Sequence, residues 1–226
     1  MNKFILYGLL LLIYLGPSKT FSPSEYGISY INSDDSLSAL IAGVPVSVLL
    51  VDIHHTGFLI KTYYHKYKVI YGYQSYEELI VRTSKIYSDQ KKPYLGMAVF
   101  RRDRDGIENH TPLPPGSVFI GDKNLGKWIT HPSGEKRWRF FGVYRNLVHF
   151  LGWQGFEPSL QLRNKIQIFL EQEKPFFGEN KEFGLTGTIT QTSFPAFFNR
   201  SNQSKISSET YFERYLKQTF TESDHE

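Results

Sequence analysis

Two kinds of hydrophobic pattern divide this chain. Phe4 to Leu15 is an unbroken apolar run apart from Gly8, preceded by Met1-Asn2-Lys3 and closed by Gly16-Pro17-Ser18. A short positive start, an apolar stretch too short for an ordinary membrane span, and a small, helix-breaking end make up a secretory signal peptide. Residues 1–22 are read as that signal, with cleavage after Ser18 or Ser22; an uncleaved N-terminal anchor is the alternative. Beyond it the apolar residues come in short periodic groups separated by turn formers, the pattern of a folded domain.

Residues 23–36, rich in Ser and Asp, read as a leader. Leu37–Ile53 carries no charge before Asp52. A membrane helix there is opposed by Gly43, Pro45 and the β-branched run from Val46, so the pattern predicts a short helix or turn over Leu37–Ala42 and a buried strand over Val46–Ile53. His54–Gly57 reads as a turn. Phe58–Tyr64 and Tyr67–Tyr73 read as two further strands with His65-Lys66 between them, completing an antiparallel meander. In Ser75–Tyr87 the apolar positions Tyr76, Leu79, Ile80, Thr83 and Tyr87 have helical spacing, with Ser75 as N-cap. Tyr94–Arg101 is a strand and Arg101–His110 a charged loop.

The stretch Pro112–Phe156 contains all three tryptophans and seven of the eighteen glycines. It opens on Pro112, Pro114 and Pro115 and a short strand over Ser117–Ile120. Lys127–Thr130 and Lys136–Phe140 then flank His131-Pro132-Ser133-Gly134, a turn sequence that predicts a hairpin. Gly142–Leu151 reads as a helix with Val143, Leu147 and Leu151 on one face and Gly152 past its end. Ser159–Lys174 is a second helix with Leu162, Ile166, Phe169 and Leu170 as its stripe. Leu185–Phe194 alternates with period two and predicts a strand; 195–205 is polar and loose; Ser208–Phe220 is an amphipathic C-terminal helix. The fold class expected is α+β, a mostly antiparallel sheet with several amphipathic helices, forming a single domain over 37–195 with a polar linker and C-terminal helix over 196–226.

Composition changes this picture in three ways. An apolar content of 40% with 16% aromatic residues excludes a disordered chain. The net charge of +4 is too small and too dispersed for a nucleic-acid-binding stripe. With no cysteine, an exported domain is built without disulfides, which points to a bacterial envelope rather than a disulfide-dense secreted module, periplasmic or extracellular. The sequons at Asn109, Asn199 and Asn202 would matter only in a eukaryotic secretory pathway. Membrane contact is expected only through the signal peptide, and no cofactor or metal is called for.

The chain lacks H-E-x-x-H, G-x-S-x-G, a phosphate-binding P-loop and a dinucleotide-binding glycine motif. S-x-x-K occurs at Ser133–Lys136 and at Ser88–Lys91, without the other elements of serine–lysine enzymes. Asp52 and His54, two apart at a strand end, point the same way and could join His55 or His65 at a metal, or simply end the strand in polar residues. Asp103, Asp105 and Glu108 resemble part of a calcium loop, with Arg101, Arg102 and Arg104 competing for their carboxylates.

The central stretch offers more. On a strand, Trp138 and Phe140 share one face while Arg137, Arg139 and Phe141 share the other. Arg145 and His149 lie four apart on the following helix. The expected ligand-binding set is Arg139, Arg145, His131 and His149 with Trp128 and Trp138: arginine grips carboxylates in a two-point fork, and flat rings stack on sugars. The alternative is that the tryptophans are core and the arginines are surface partners of glutamates. Two functions follow. One is a non-catalytic envelope protein with a binding or structural role, recognising a cell-wall polymer, an anionic or glycan ligand, a lipid headgroup or an envelope protein. The other is an envelope hydrolase using His131, His149 or His54 with Asp122 or Asp52.

Overall fold

The computed structural model describes residues 27–57, 61–73, 75–153 and 155–200, together with Lys3, Tyr7 and Gly8. The signal peptide and the C-terminal helix over 208–220 lie outside the described residues. Among the described residues no helix is long and apolar enough to cross a membrane.

The frame is a six-stranded sheet built from β1 (Tyr30–Ile31), β2 (Val46–Thr56), β3 (Thr62–Tyr71), β4 (Ser75–Thr83), β5 (Ala98–Arg102) and β6 (Glu108–Asn109). Its order is β1-β4-β3-β2-β5-β6, and every pairing is antiparallel except that of β1 with β4. A separate two-stranded hairpin, β7 (Gly126–Thr130) and β8 (Lys136–Phe140), packs against one side. This is the α+β fold expected, with the sheet mostly antiparallel.

Several local expectations are corrected. The leader is not outside the fold: Tyr30–Ile31 pairs with Arg82–Thr83, and Asp34–Ser38 is a helix whose N-cap, Ser33, accepts from the Ser36 N–H. His54–Thr56 extend β2 rather than turning. β3 runs unbroken through His65 and Lys66, because His65 turns inward and Lys66 reaches Glu78 on the neighbouring strand at 2.8 Å. Ser75–Thr83 is a strand, not a helix. It supplies the backbone partners that β3 requires, in a ladder from Tyr63↔Thr83 to Tyr71↔Ser75. Helix begins one step later, at Lys85–Lys91, where Ser84 Oγ accepts from the Tyr87 N–H at 3.1 Å.

Ser117–Ile120 is a run of turns rather than a strand. The helix over Gly142–Leu151 is split into a 3₁₀ turn, Gly142–Tyr144, and a short helix, Asn146–Phe150, and Val143 points to solvent. Thr188–Ser193 is a helix where alternation predicted a strand. Thr190 is buried beneath Gly96, and the Thr192 hydroxyl donates back to the Thr188 carbonyl at 3.0 Å, a bond that a threonine can make within a helix. Residues 195–200, expected to be loose, are helical.

Both faces of the sheet are covered. Val46, Val48, Leu50, Tyr67, Val69 and Val81 meet Leu37, Tyr87 and Leu95 on one side. On the other, Leu49, Ile70 and Ala98 meet Trp138 and Phe140 of β8, Leu147 and Leu151, Trp153, and Leu162 and Ile166 of the long helix Leu160–Glu171. That helix starts where expected, with Ser159 Oγ accepting from the Leu162 N–H at 3.0 Å.

Candidate ligand-binding site

The hairpin forms as its sequence predicts. Gly134, at φ +83°, donates its N–H to the His131 carbonyl at 2.8 Å, and the His131 N–H donates to Glu135 at the same distance. Trp128 stands opposite Trp138, edge to face at 5.3 Å. Gly126 opposes Phe140, and a Cβ there would come within 2.4 Å of the Arg139 carbonyl and 2.7 Å of the Trp138 ring. The coupling of tryptophan with glycine in this stretch is thus a matter of room: the ring lies against bare backbone.

Alternation along β8 sorts its chemistry. Trp138 and Phe140 are buried, Arg139 is exposed and Arg137 is half-buried. The chain then returns past Gly152 (φ +72°) and crosses β8: the Trp138 N–H donates to the Pro158 carbonyl at 2.8 Å and Arg137 bridges to Ser159. Between β8 and this returning segment lies a cavity of about 590 Å³. Its apolar wall is Trp138, Phe140, Trp153 and Phe156. Phe140 and Trp153 are stacked at 5.5 Å, and Trp153 is pinned by its Nε1–H donating to the Pro115 carbonyl at 3.1 Å.

The polar lining is Arg137, Arg139, Arg145 and Glu157. Glu157 lies 3.5 Å from Arg137 and 3.6 Å from Arg139, and Arg137 is also 3.1 Å from Glu135. Among the described residues Arg145 has no ion pair. The cavity wall therefore holds three guanidinium groups against one carboxylate. Trp138 Nε1, buried, also lacks a hydrogen-bond partner.

Of the six residues expected to form a site, Arg139, Arg145 and Trp138 line this cavity. Trp128 stands behind Trp138 and is not part of the lining. His131 and His149 do not join it. His131 sits in the turn at the opposite end of the hairpin, where its Nδ1 meets the Ser133 hydroxyl at 3.0 Å, and His149 is exposed beside Phe150. Trp153, Phe156 and Glu157 were missed, because nothing local in the sequence says that the residues after Gly152 fold back over β8.

The other candidates resolve separately. His54 Nδ1 lies 3.3 Å from Asp52, but Arg200 holds both Asp52 oxygens at 3.0 Å, and His54 stacks on Tyr64. His65 is fully buried and its pKa is lowered to about 4, chiefly by burial, then by the charges of Lys91 and His54, with Asp52 opposing. Among the described residues no group of three or more His, Asp or Glu is arranged to hold a metal ion. Asp103 accepts from the backbone N–H groups of Asp105 and Ile107, and Glu108 pairs with Arg102, so the acidic loop uses its carboxylates internally.

Burial works to raise the Asp122 carboxyl, yet hydrogen bonds from Arg104 and Asn124 outweigh it and hold its pKa below the ordinary carboxylate value. Ser88 and Lys91 do share a helix, but Lys91 Nζ is engaged by Asp34 at 2.6 Å. Ser133 sits in the hairpin turn with His131, and Lys136 is exposed on β8. Comparison with protein-family models, with curated proteins and with solved structures finds no match for this chain.

Proposed function

We propose that this chain is an exported bacterial cell-envelope protein with a binding role, and that its cavity along β8 takes an anionic glycan such as a carboxylated cell-wall polymer. The carrying observation is the excess of guanidinium over carboxylate on a wall that also presents aromatic rings. Arg145 supplies an uncommitted cation, and the unpartnered Trp138 Nε1–H is a donor suited to a sugar or carboxylate oxygen. The volume falls within the range of small-ligand sites, about 300–1,000 Å³. Export rests on the sequence of residues 1–22, and the bacterial envelope on the absence of cysteine in an exported chain.

The test is binding of purified protein to isolated bacterial cell-wall material and to glucuronic acid. Arg139→Ala and Arg145→Ala should each weaken binding while the circular dichroism and the thermal midpoint stay unchanged. Undiminished binding by both folded variants sinks the proposal. Fractionation of cells expressing the chain with and without residues 1–22 checks export. Equal retention of both forms in the cytoplasm overturns that part. A hydrolase is the weaker reading: among the described residues its one contact is His54 with Asp52, a carboxylate already committed to Arg200.

A further inference from the structure

A second cavity, of about 630 Å³, opens where β5, the turns after Gly116 and the long helix meet. It shares no lining residue with the first. Arg101, only 5% exposed, is among its lining residues. Its guanidinium donates to the Thr111 carbonyl at 2.9 Å and to the Asn109 amide oxygen, both neutral groups. Among the described residues it has no carboxylate within ion-pair distance. Burial alone lowers its pKa, to about 10. A guanidinium has five N–H donors, so the two bonds leave capacity unused.

Two further groups lining the same cavity are unsatisfied. Ser117 Oγ and Arg163 Nε are both shut off from solvent and have no hydrogen-bond partner. Arg163 lies beneath the backbone of Gly121, where a Cβ would come within 2.6 Å of Nε, so this glycine (φ +92°) makes room for the guanidinium. Of the three acids lining it, Asp122 is paired with Arg104, itself a lining residue, at 2.8 Å, Asp103 accepts from backbone N–H groups, and Asp105 is exposed. Leu113, Ile166 and Leu170 supply apolar wall. Buried donors require acceptors, and an uncompensated buried cation is costly. We propose that this cavity binds a small organic anion, a carboxylate or phosphate group carried on an apolar body, with Arg101, Arg163 and Ser117 holding the oxygens. The volume exceeds what a bare oxyanion needs, and the aliphatic wall is the place for the body.

The experiment is isothermal titration of the full chain at low salt with benzoate, phenyl phosphate and inorganic phosphate, and with benzyl alcohol as the uncharged control. Benzoate or phenyl phosphate should bind at least tenfold more tightly than benzyl alcohol. Arg163→Gln should weaken that binding about tenfold, and Ser117→Ala should weaken it while leaving the thermal midpoint unchanged or raised, since a buried unpaired hydroxyl is lost. Arg101→Gln removes a side chain that also ties down Thr111 and Asn109, so Arg163→Gln carries the test if that variant fails to fold. Absence of binding by either organic anion, or undiminished binding in Arg163→Gln, overturns the proposal. Binding of inorganic phosphate with no gain from the phenyl group overturns the organic body. Loss of binding through Arg145→Gln and not through Arg163→Gln would put the anion in the cavity along β8 instead. The two sites are thus tested separately.

Discussion

Against one face of the sheet lie Trp138, Phe140, Trp153 and the long helix, rings and aliphatic chains that meet at irregular angles and leave two cavities at their margins. Against the other lies a chain of titratable groups with apolar residues filled in around it. His65 Nδ1 joins the Tyr67 hydroxyl at 2.9 Å, the His65 ring stacks on Tyr87, and the Tyr87 hydroxyl donates to Asp34, which also takes Lys91. Burial is the first cause raising both phenols above their ordinary values. On the aromatic face the arginines line cavities, and an exposed one such as Arg139 has only a long ion pair to hold it. On the other face charge is structural, so pH and single polar substitutions act on stability. The same residue types line cavities or hold segments together according to whether the chain has already supplied their partners.

The largest effect should come from the aromatic face. Trp153 is 2% exposed and wedged between Phe140 and Phe156. Trp153→Ala should cost about 4 kcal/mol in chemical denaturation, with the Pro115 carbonyl losing its donor as well. A loss under about 1 kcal/mol would mean that the stack does not hold this face together.

Next is the pH response of the other face. The charged and titratable groups around His65 are Tyr67 on its own strand, Asp52 and His54 on β2, Tyr87 and Lys91 on the Lys85–Lys91 helix, and Asp34 beyond them. Its folded pKa near 4 lies below the unfolded value of 6.5, so the unfolded chain takes up the proton first as pH falls. Stability is therefore full above pH 6.5 and declines by about 3 kcal/mol down to pH 4, below which this contribution changes no further. Urea midpoints at pH 7 and pH 4.5 read the decline, and His65→Gln should flatten it. An unaltered slope in that variant would assign the pH dependence to other groups.

Asp34→Ala should cost about 2 kcal/mol, less than the ~3–5 kcal/mol of a fully buried pair because Asp34 is partly exposed. It leaves the buried Lys91 ammonium and the Tyr87 hydroxyl without their acceptor. Thermal denaturation would check this, with Asp34→Asn recovering part of the loss. The smallest effect belongs to Arg139→Ala: its side chain is 61% exposed and its ion pair with Glu157 is long, so stability should move by under about 0.5 kcal/mol. A larger drop would make Arg139 a structural residue and blur the contrast between the two faces.

Much of this was legible from local signals. The hairpin around His131–Gly134, the start of the helix at Ser159, Gly152 past its helix and the opposed faces of Trp138 and Arg139 all follow from local turn chemistry and periodicity, which neighbouring residues settle among themselves. Helical spacing in Ser75–Tyr87 was genuine but secondary. The unpaired edge of β3 needed nine partners from that segment, and backbone hydrogen bonding outweighed the periodicity. The Thr-rich alternation before Pro195 failed in the opposite direction: among the described residues no strand pairs with it, and the Thr192 hydroxyl bonds back within the helix that forms instead.

At the candidate sites the division is sharper. By itself the sequence determined which residues could offer charge and rings: the arginines of β8, Arg145 and the tryptophans, on faces that alternation sorts correctly. Only the tertiary structure decided what they face. It folded residues 155–158 back over β8, kept His131 at the far end of the hairpin away from the cavity, and left Arg101 in the interior without a carboxylate. Periodicity fixes the direction of a side chain relative to its own strand or helix. Whether a counter-charge waits there depends on segments distant in sequence, which a local pattern does not encode.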